Sequence, residues 1–488
     1  MPYVLGIDVG TGSTAAATCL LGGPGPARAD AVRLGGRGFG VPSVVHVAPD
    51  GAFLVGEPAA QRGLVEPSRT ARDFVRRVGD EVPQLLAGRL VTAHELTAYL
   101  VTWVVQRAEA QYGGPAEHVV LTHPPEWGPY RRGLLHQALW HAGVGRVTLL
   151  PEPIAAGESH AAREDVPDGG LLAVYALGEH SFCGSVVLRT DSGAFELVAA
   201  MEGNEHTGGA HFDDALLEHV RTEMGGRWVP PDPGDPRSRP NMARLRHECA
   251  VAKERLSTAT EAAVPVPVPQ GVAEVRVARA DFEDLIRPEL DGTVETLLHA
   301  LRLGSVEPER LAAVLLTGGC ARIPLVAELV SAALPCPVSV EPDPELTAAR
   351  GAALAAYRMV TSSEAVHARP PSMEETSVLV PTRAELDPLG DDFDAPPPRP
   401  AVEITPLELP ERRGVRRFLP GFRANALSAV LISTITLAPV LPLAPRLPAP
   451  PAGVAETARS FSLPGAFTGR EQPRTDRTGD DHHHEDGR

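Results

Sequence analysis

Three apolar runs that each end in a glycine turn constrain this chain more than any other feature. Residues 4–7 lead into Asp8-Val9-Gly10-Thr11-Gly12-Ser13-Thr14, residues 171–175 into Ala176-Leu177-Gly178, and residues 314–316 into Thr317-Gly318-Gly319. Short apolar runs bounded by glycine read as buried strands. Glycine in the turn lets backbone N–H groups face an anion with no Cβ in the way. The element next in the chain after each turn narrows the choice of fold. After the first comes Ala15-Ala16-Ala17-Thr18-Cys19-Leu20-Leu21, closed by Gly22-Gly23, which is a second strand and not a helix. P-loops and dinucleotide-binding turns both need a helix at that point, so neither is present. The second turn also leads into a strand, residues 185–188, so the hairpin recurs after about 165 residues as a weak internal duplication. Two similar lobes facing one ligand are the expected outcome.

Residues 3–360 read throughout as mixed α/β, with apolar runs alternating with stretches of helical period. Thr92 and Glu95 form a capping box ahead of Leu96, Tyr99, Leu100, Trp103 and Val104, which share one helix face and are expected in the core. From about residue 361 the texture changes: Trp and Tyr disappear, Pro396-Pro397-Pro398 and Pro400 come after an acidic patch, and the periodicity is lost. Residues 361–423 are therefore expected to be a disordered linker that ends in a basic stretch. Residues 424–444 carry no charge and match the roughly 20 residues a bilayer core demands. Arg412, Arg413, Arg416, Arg417 and Arg423 precede this run, while Arg446 is the nearest basic residue after it. The positive-inside rule then predicts one transmembrane helix with the N-terminal domain in the cytoplasm, anchored to the plasma membrane, and a disordered tail, 445–488, on the far side. His482-His483-His484 in that tail reads as a solvated run between acidic neighbours. Val4-Leu5-Gly6-Ile7 is followed directly by Asp8, without a basic region or cleavage site, so no signal peptide is expected.

Charge narrows the choice of partner. With 45 Lys+Arg against 62 Asp+Glu and a net charge of −17, the overall field repels a polyanion, which excludes a nucleic-acid binder. An anionic ligand needs a local site. Lys253 is the only lysine in the chain, so it marks a place where arginine does not suffice. Cys19, Cys183, Cys249, Cys320 and Cys336 form no C-x-x-C pair, which argues against a disulfide framework and against zinc.

Further segments come in a fixed order. They are Val41-Pro42-Ser43-Val44-Val45 with Val55-Gly56-Glu57-Pro58-Ala59, Glu152-Pro153-Ile154-Ala155-Ala156, and Thr207-Gly208-Gly209 with Phe212-Asp213. Arg244-Leu245 with Ala252-Lys253 and Leu256-Ser257 come next, then Leu316-Thr317-Gly318-Gly319 with Arg322-Ile323-Pro324. Together with Gly6-Ile7-Asp8-Val9-Gly10-Thr11 this set resembles the nucleotide-binding domain of the DnaK-type heat-shock chaperones, the heat-shock protein 70 family. That family lies within the actin-like ATPase superfamily. The resemblance implies a two-lobed, ribonuclease H-like α/β domain over residues 1–360 that binds ATP with Mg²⁺. By the same resemblance Gly10, Thr11, Gly12 and Ser13, with Gly178, Ser181, Gly208 and Gly209, hold phosphates. Asp8 orients water around the metal and Glu152 positions the hydrolytic water. Lys253, Ser257, Gly318, Gly319, Arg322 and Glu345 surround the adenosine. Such a site acts by positioning and charge stabilisation, without covalent help from the protein.

Departures from the family pattern matter as much. The second hairpin of the family carries Asp, Leu, three glycines and Thr, where this chain has Ala176-Leu177-Gly178-Glu179-His180-Ser181. The family's catalytic lysine falls near Val75, leaving Arg76, one residue away, as the only cation to stand in for it. Gly12 replaces a Thr, and Ala250 a ribose-binding Glu. His123 in Leu121-Thr122-His123-Pro124-Pro125 reads as a structural histidine at a strand end. The expected function is a DnaK-like ATP-binding module, tethered to the membrane, with weak or lost hydrolysis and no peptide-binding domain, acting on an unidentified client or envelope partner. An active Mg-dependent ATPase, a fold that has lost its ligand, and an actin-like scaffold at the cell envelope stay open as alternatives.

Overall fold

The computed structural model describes residues 1–368, apart from residues 24, 37, 205–206, 229–237 and 269–270. The expected span 424–444, the tail 445–488 and nearly all of the linker lie outside the described residues. Among the described residues no helix is long and apolar enough to cross a membrane.

Two sheets repeat one topology. The first is built from β1 (Tyr3–Val9), β2 (Ser13–Leu20), β3 (Asp30–Ala31), β4 (Val41–Pro42), β5 (Val119–His123) and β6 (Val147–Pro151). Its order is β6-β5-β1-β2-β3, with β4 also on β2. The second is built from β7 (Leu171–Leu177), β8 (Phe182–Arg189), β9 (Phe195–Glu202), β10 (Leu311–Thr317) and β11 (Val338–Val340), in the order β9-β8-β7-β10-β11. In each, a hairpin pairs antiparallel while two later strands join parallel on its other side. The hairpin turns are closed by the same bond: Gly10 N–H donates to Ser13 O at 3.0 Å, and Gly178 N–H to Ser181 O at 2.9 Å. Asp8 pairs with Ala15 and Ala176 with Cys183, so Ala176 holds in the second lobe the place that Asp8 holds in the first.

Strand alternation sends Tyr3, Leu5 and Ile7 into the first lobe's core and Leu171, Ala173, Tyr175 and Leu177 into the second's. The opposite faces meet two helices, α2 (Glu152–Ala161) and the long helix Thr347–Ala368. That long helix packs Ala349, Ala352, Ala353 and Ala356 against Val4, Ala15 and Ala17, and it runs past the boundary expected at residue 360. The two helices cross with backbones in contact, since a Cβ on Gly351 would stand 1.6 Å from Ala155 O. Asp8 and Ala176 follow the alternation onto these inner faces, at the strand ends beside the cleft.

Helix α1 (Ala93–Tyr112) begins at Thr92 with both bonds of the expected capping box. Leu96, Leu100 and Val104 are fully buried, but the two aromatics of the same stripe are not. Tyr99 lies at the margin against Phe53, with ring centroids 4.5 Å apart, and Trp103 lies beneath the Arg107 guanidinium. Both are too large for the centre of that face.

Candidate functional site

One cavity of about 940 Å³ lies between the lobes. It is lined by Asp8, Gly10, Thr11, Gly12, Ser13, Arg76, Glu152, Gly178, Ser181, Gly209, Lys253, Ser257, Gly318, Gly319, Arg322 and Glu345. Every residue expected at the site is thus at the cavity wall except Gly208. Gly208 instead starts α3 (Gly209–Met224) at a φ of 152°, its face set against Glu179 O.

Local contacts explain the shape of each wall. The first turn is braced by Ser43, whose hydroxyl donates to Gly10 O at 2.7 Å and whose N–H donates to Gly12 O at 2.9 Å. The second turn is stitched to the start of α3, with Gly209 N–H donating to Gly178 O at 3.0 Å and Ala210 N–H to Glu179 O at 2.8 Å. Gly318 takes a φ of 84°, and a Cβ there would stand 2.3 Å from Leu177 O, so only glycine allows this approach. Its N–H donates to Pro344 O at 3.0 Å, which brings Glu345 beside Arg322. Arg322 and Glu345 form a forked pair at 2.9 to 3.2 Å on the cavity rim.

Lys253 comes from α4 (Ser238–Leu256), and Ser257 lies just past the end of that helix. The ammonium donates to Gly209 O at 2.7 Å and lies 2.9 Å from Asp213 Oδ1. Burial opposes its charge, yet Cys320, Asp213 and Glu179 hold its pKa above the ordinary lysine value. Burial raises Asp213 to about 6, with Lys253 opposing the rise.

At the other end the Thr122 hydroxyl donates to the Asp8 carboxylate. Burial lifts Asp8 to about 6 against that bond. Glu152, the first residue of α2, is lifted to about 8 by burial and by the negative charges of Asp8 and Glu126. Both values lie above those of the exposed groups, 3.8 and 4.5. Protonation therefore stabilises the ligand-free fold. The contribution is complete below the exposed values and is lost as pH rises through about 6 and then about 8. Buried His46, His118, His123 and His160, whose pKa values burial lowers, act in the opposite direction, so the Glu152 contribution is read as a difference: the wild-type protein without nucleotide should gain in melting temperature relative to Glu152→Gln as pH falls from about 8.5 to about 5.5. A wild-type-minus-variant difference that stays constant or grows with rising pH over this window would contradict the assignment.

The second hairpin offers no counterpart to Asp8. Ala176 contributes a methyl group, and among the described residues no three His, Cys, Asp or Glu side chains gather closely enough to hold a metal. His123 is buried, with Nδ1–H donating to Pro124 O at 2.7 Å, and burial lowers its pKa. It lies on the cavity wall, where burial favours its neutral form. Ser43, Thr122, Asp213, Glu126 and Cys320 carry no mark in the sequence as site residues. Two leave a trace: Ser43 in Val41-Pro42-Ser43-Val44-Val45, and Asp213 in the Phe212-Asp213 that comes after Thr207-Gly208-Gly209.

Mixed α/β sheets with matched hairpins over one cleft are consistent with the actin-like ATPase fold. The family profile described as Hsp70 protein matches residues 82–367. The chain belongs to the Hsp70 family, and the described domain is its nucleotide-binding domain. Chaperone protein DnaK of Cenarchaeum symbiosum is 29% identical over 365 residues, covering 73% of this chain and 54% of the relative. The DnaK of Thermotoga neapolitana is 28% identical, covering 72% and 59%, and that of Elusimicrobium minutum 29% identical, covering 68% and 53%. The chain thus spans little more than half the length of these relatives.

Proposed function

We propose that this domain binds adenine nucleotides and hydrolyses ATP weakly or not at all, as a chaperone-family module. The observation that carries the reading is the asymmetry of the cleft. One side keeps most of a nucleoside set: Lys253, Ser257, Gly318, Gly319 and the Arg322–Glu345 pair line a cavity of about 940 Å³, a size usual for small-ligand sites, with Ala250 on the same wall where the family has a ribose-binding Glu. The other keeps Asp8, Glu152 and the first hairpin, but has Ala176 where the duplicated fold calls for a carboxylate. Mg²⁺ binds mainly through water and phosphate, with one or two protein carboxylates. Asp8 would hold it through water, and the ion would neutralise phosphate charge. Glu152 would orient a water molecule, and Arg76 is the cation offered in place of the family's lysine. Loss of one such electrostatic group costs about 10²–10³-fold in rate.

Titrating the full-length protein with Mg-ATP in a calorimeter tests the reading. Saturable binding with slow or absent phosphate release is expected, and no heat with either adenosine or ATP would overturn it. The apolar run 424–444 with its arginine-rich entry supports a membrane tether that keeps the domain on the cytoplasmic side. Full recovery of the protein in a detergent-free soluble fraction would count against the tether.

A further inference from the structure

The first hairpin leaves a gap at Gly12, and a side chain of the opposite lobe fills it. A Cβ placed on Gly12 would stand 1.7 Å from Glu179 Oε2 and 2.5 Å from Glu179 Cβ. The Glu179 side chain therefore lies along the Gly12 backbone. Its charge is also felt by Lys253 and Asp213. The carboxylate thus lies on the first hairpin while its backbone lies beside Gly209, the residue that Lys253 bonds, so it faces the part of the cavity that a phosphate on the first hairpin would enter.

This placement is held from several directions. The Glu179 carbonyl accepts from Ala210 N–H at 2.8 Å, which ties the turn to α3. The next residue, His180, puts Nδ1 3.3 Å from Asp73 Oδ1 in the first lobe and 3.9 Å from Glu179 Oε1. Two of the cations on the cavity wall are already committed, Lys253 to Asp213 and Arg322 to Glu345 and Asp343. An added phosphate finds a carboxylate in its way, with Arg76 and Arg131 as the remaining cations of the cavity wall.

We propose that Glu179 is a resident anion that makes this cleft select a nucleoside diphosphate over the corresponding triphosphate. The inference rests on the nucleotide reading above and adds to it the number of phosphates the site accepts. A diphosphate stops short of the Gly12 face and keeps the contacts made by Lys253, Gly209 and Arg322. A triphosphate must displace Glu179 or set like charges a few ångströms apart, which in a half-buried site is enough for about tenfold in affinity or more.

Calorimetric titration of the full-length protein with adenosine, ADP and ATP, each with Mg²⁺, tests the proposal on wild type, Glu179→Gln and Glu179→Gly. Wild type should bind ADP about tenfold more tightly than ATP, Glu179→Gln should narrow the gap, and Glu179→Gly should close or reverse it. Wild type that binds ATP as tightly as ADP, or a gap unchanged in Glu179→Gly, overturns the proposal. The wild-type ratio needs no variant to fold. Adenosine separates the two claims: binding of adenosine and ADP with equal affinity for ATP removes only the selectivity, whereas no binding of any of the three removes the nucleotide site as well.

Discussion

Ala176→Asp combined with Glu179→Gly and His180→Gly is expected to raise the rate of ATP hydrolysis by about 10²-fold and the affinity for ATP by about tenfold or less. The hairpins have equivalent closing bonds, Gly10 to Ser13 and Gly178 to Ser181, so a carboxylate at position 176 would face the cleft as Asp8 does. Such a group acts through the metal on charge that develops during phosphoryl transfer, so its main effect falls on the rate. Removing Glu179 frees the Gly12 face for the terminal phosphate. Val75→Lys on this background should add a further gain, because residue 75 lines the same cavity, and the gain should be non-additive because the groups work as a unit. Phosphate release at saturating ATP is the measurement. A wild-type protein that hydrolyses briskly and is slowed by these changes would show that Arg76, Glu179 or His180 performs the missing roles.

Lys253→Met should be the most damaging single change in the cleft, lowering stability by about 3–5 kcal/mol and abolishing nucleotide binding. The ammonium is the charged partner of Asp213 and also bonds Gly209 O, where the second hairpin meets α3. Removing it leaves a buried carboxylate without its counter-ion and an N-terminal turn without its brace. Adding Asp213→Asn should recover most of the stability, because no unpaired charge then remains, but none of the binding. Urea unfolding of the three proteins reads the first effect and calorimetry the second. A loss under 1 kcal/mol in Lys253→Met would show that water satisfies Asp213 and that the pair is not structural.

The part of the fold and site legible in the sequence is local. The hairpins, the Thr92–Glu95 cap and the glycines at 318 and 319 each arise from neighbouring residues. Lys253 stands out because it is the only lysine in an arginine-rich chain. The hidden part of the site depends on contacts between distant segments. Asp213 is 40 residues from Lys253, a separation given by their numbering, and Thr122 reaches Asp8 across the β1–β5 pair. Ser43 is visible as part of an ordered segment, but its support of the Gly10 turn is not. Glu179 can be read as an intruding charge. That it reaches the opposite hairpin at Gly12 depends on how closely the lobes approach. Tyr99 and Trp103 have the right helical spacing for the core and lie at its margin, because periodicity sets a face without measuring the space beneath it.

The most direct test of a cleft that binds ATP without turning it over is a single-turnover experiment on the full-length protein, mixed in excess with labelled ATP and Mg²⁺. The bound label should be recovered as unhydrolysed ATP long after binding has equilibrated, and the triple substitution should convert it to ADP. Rapid conversion to ADP by the wild-type protein would contradict this reading of the cleft.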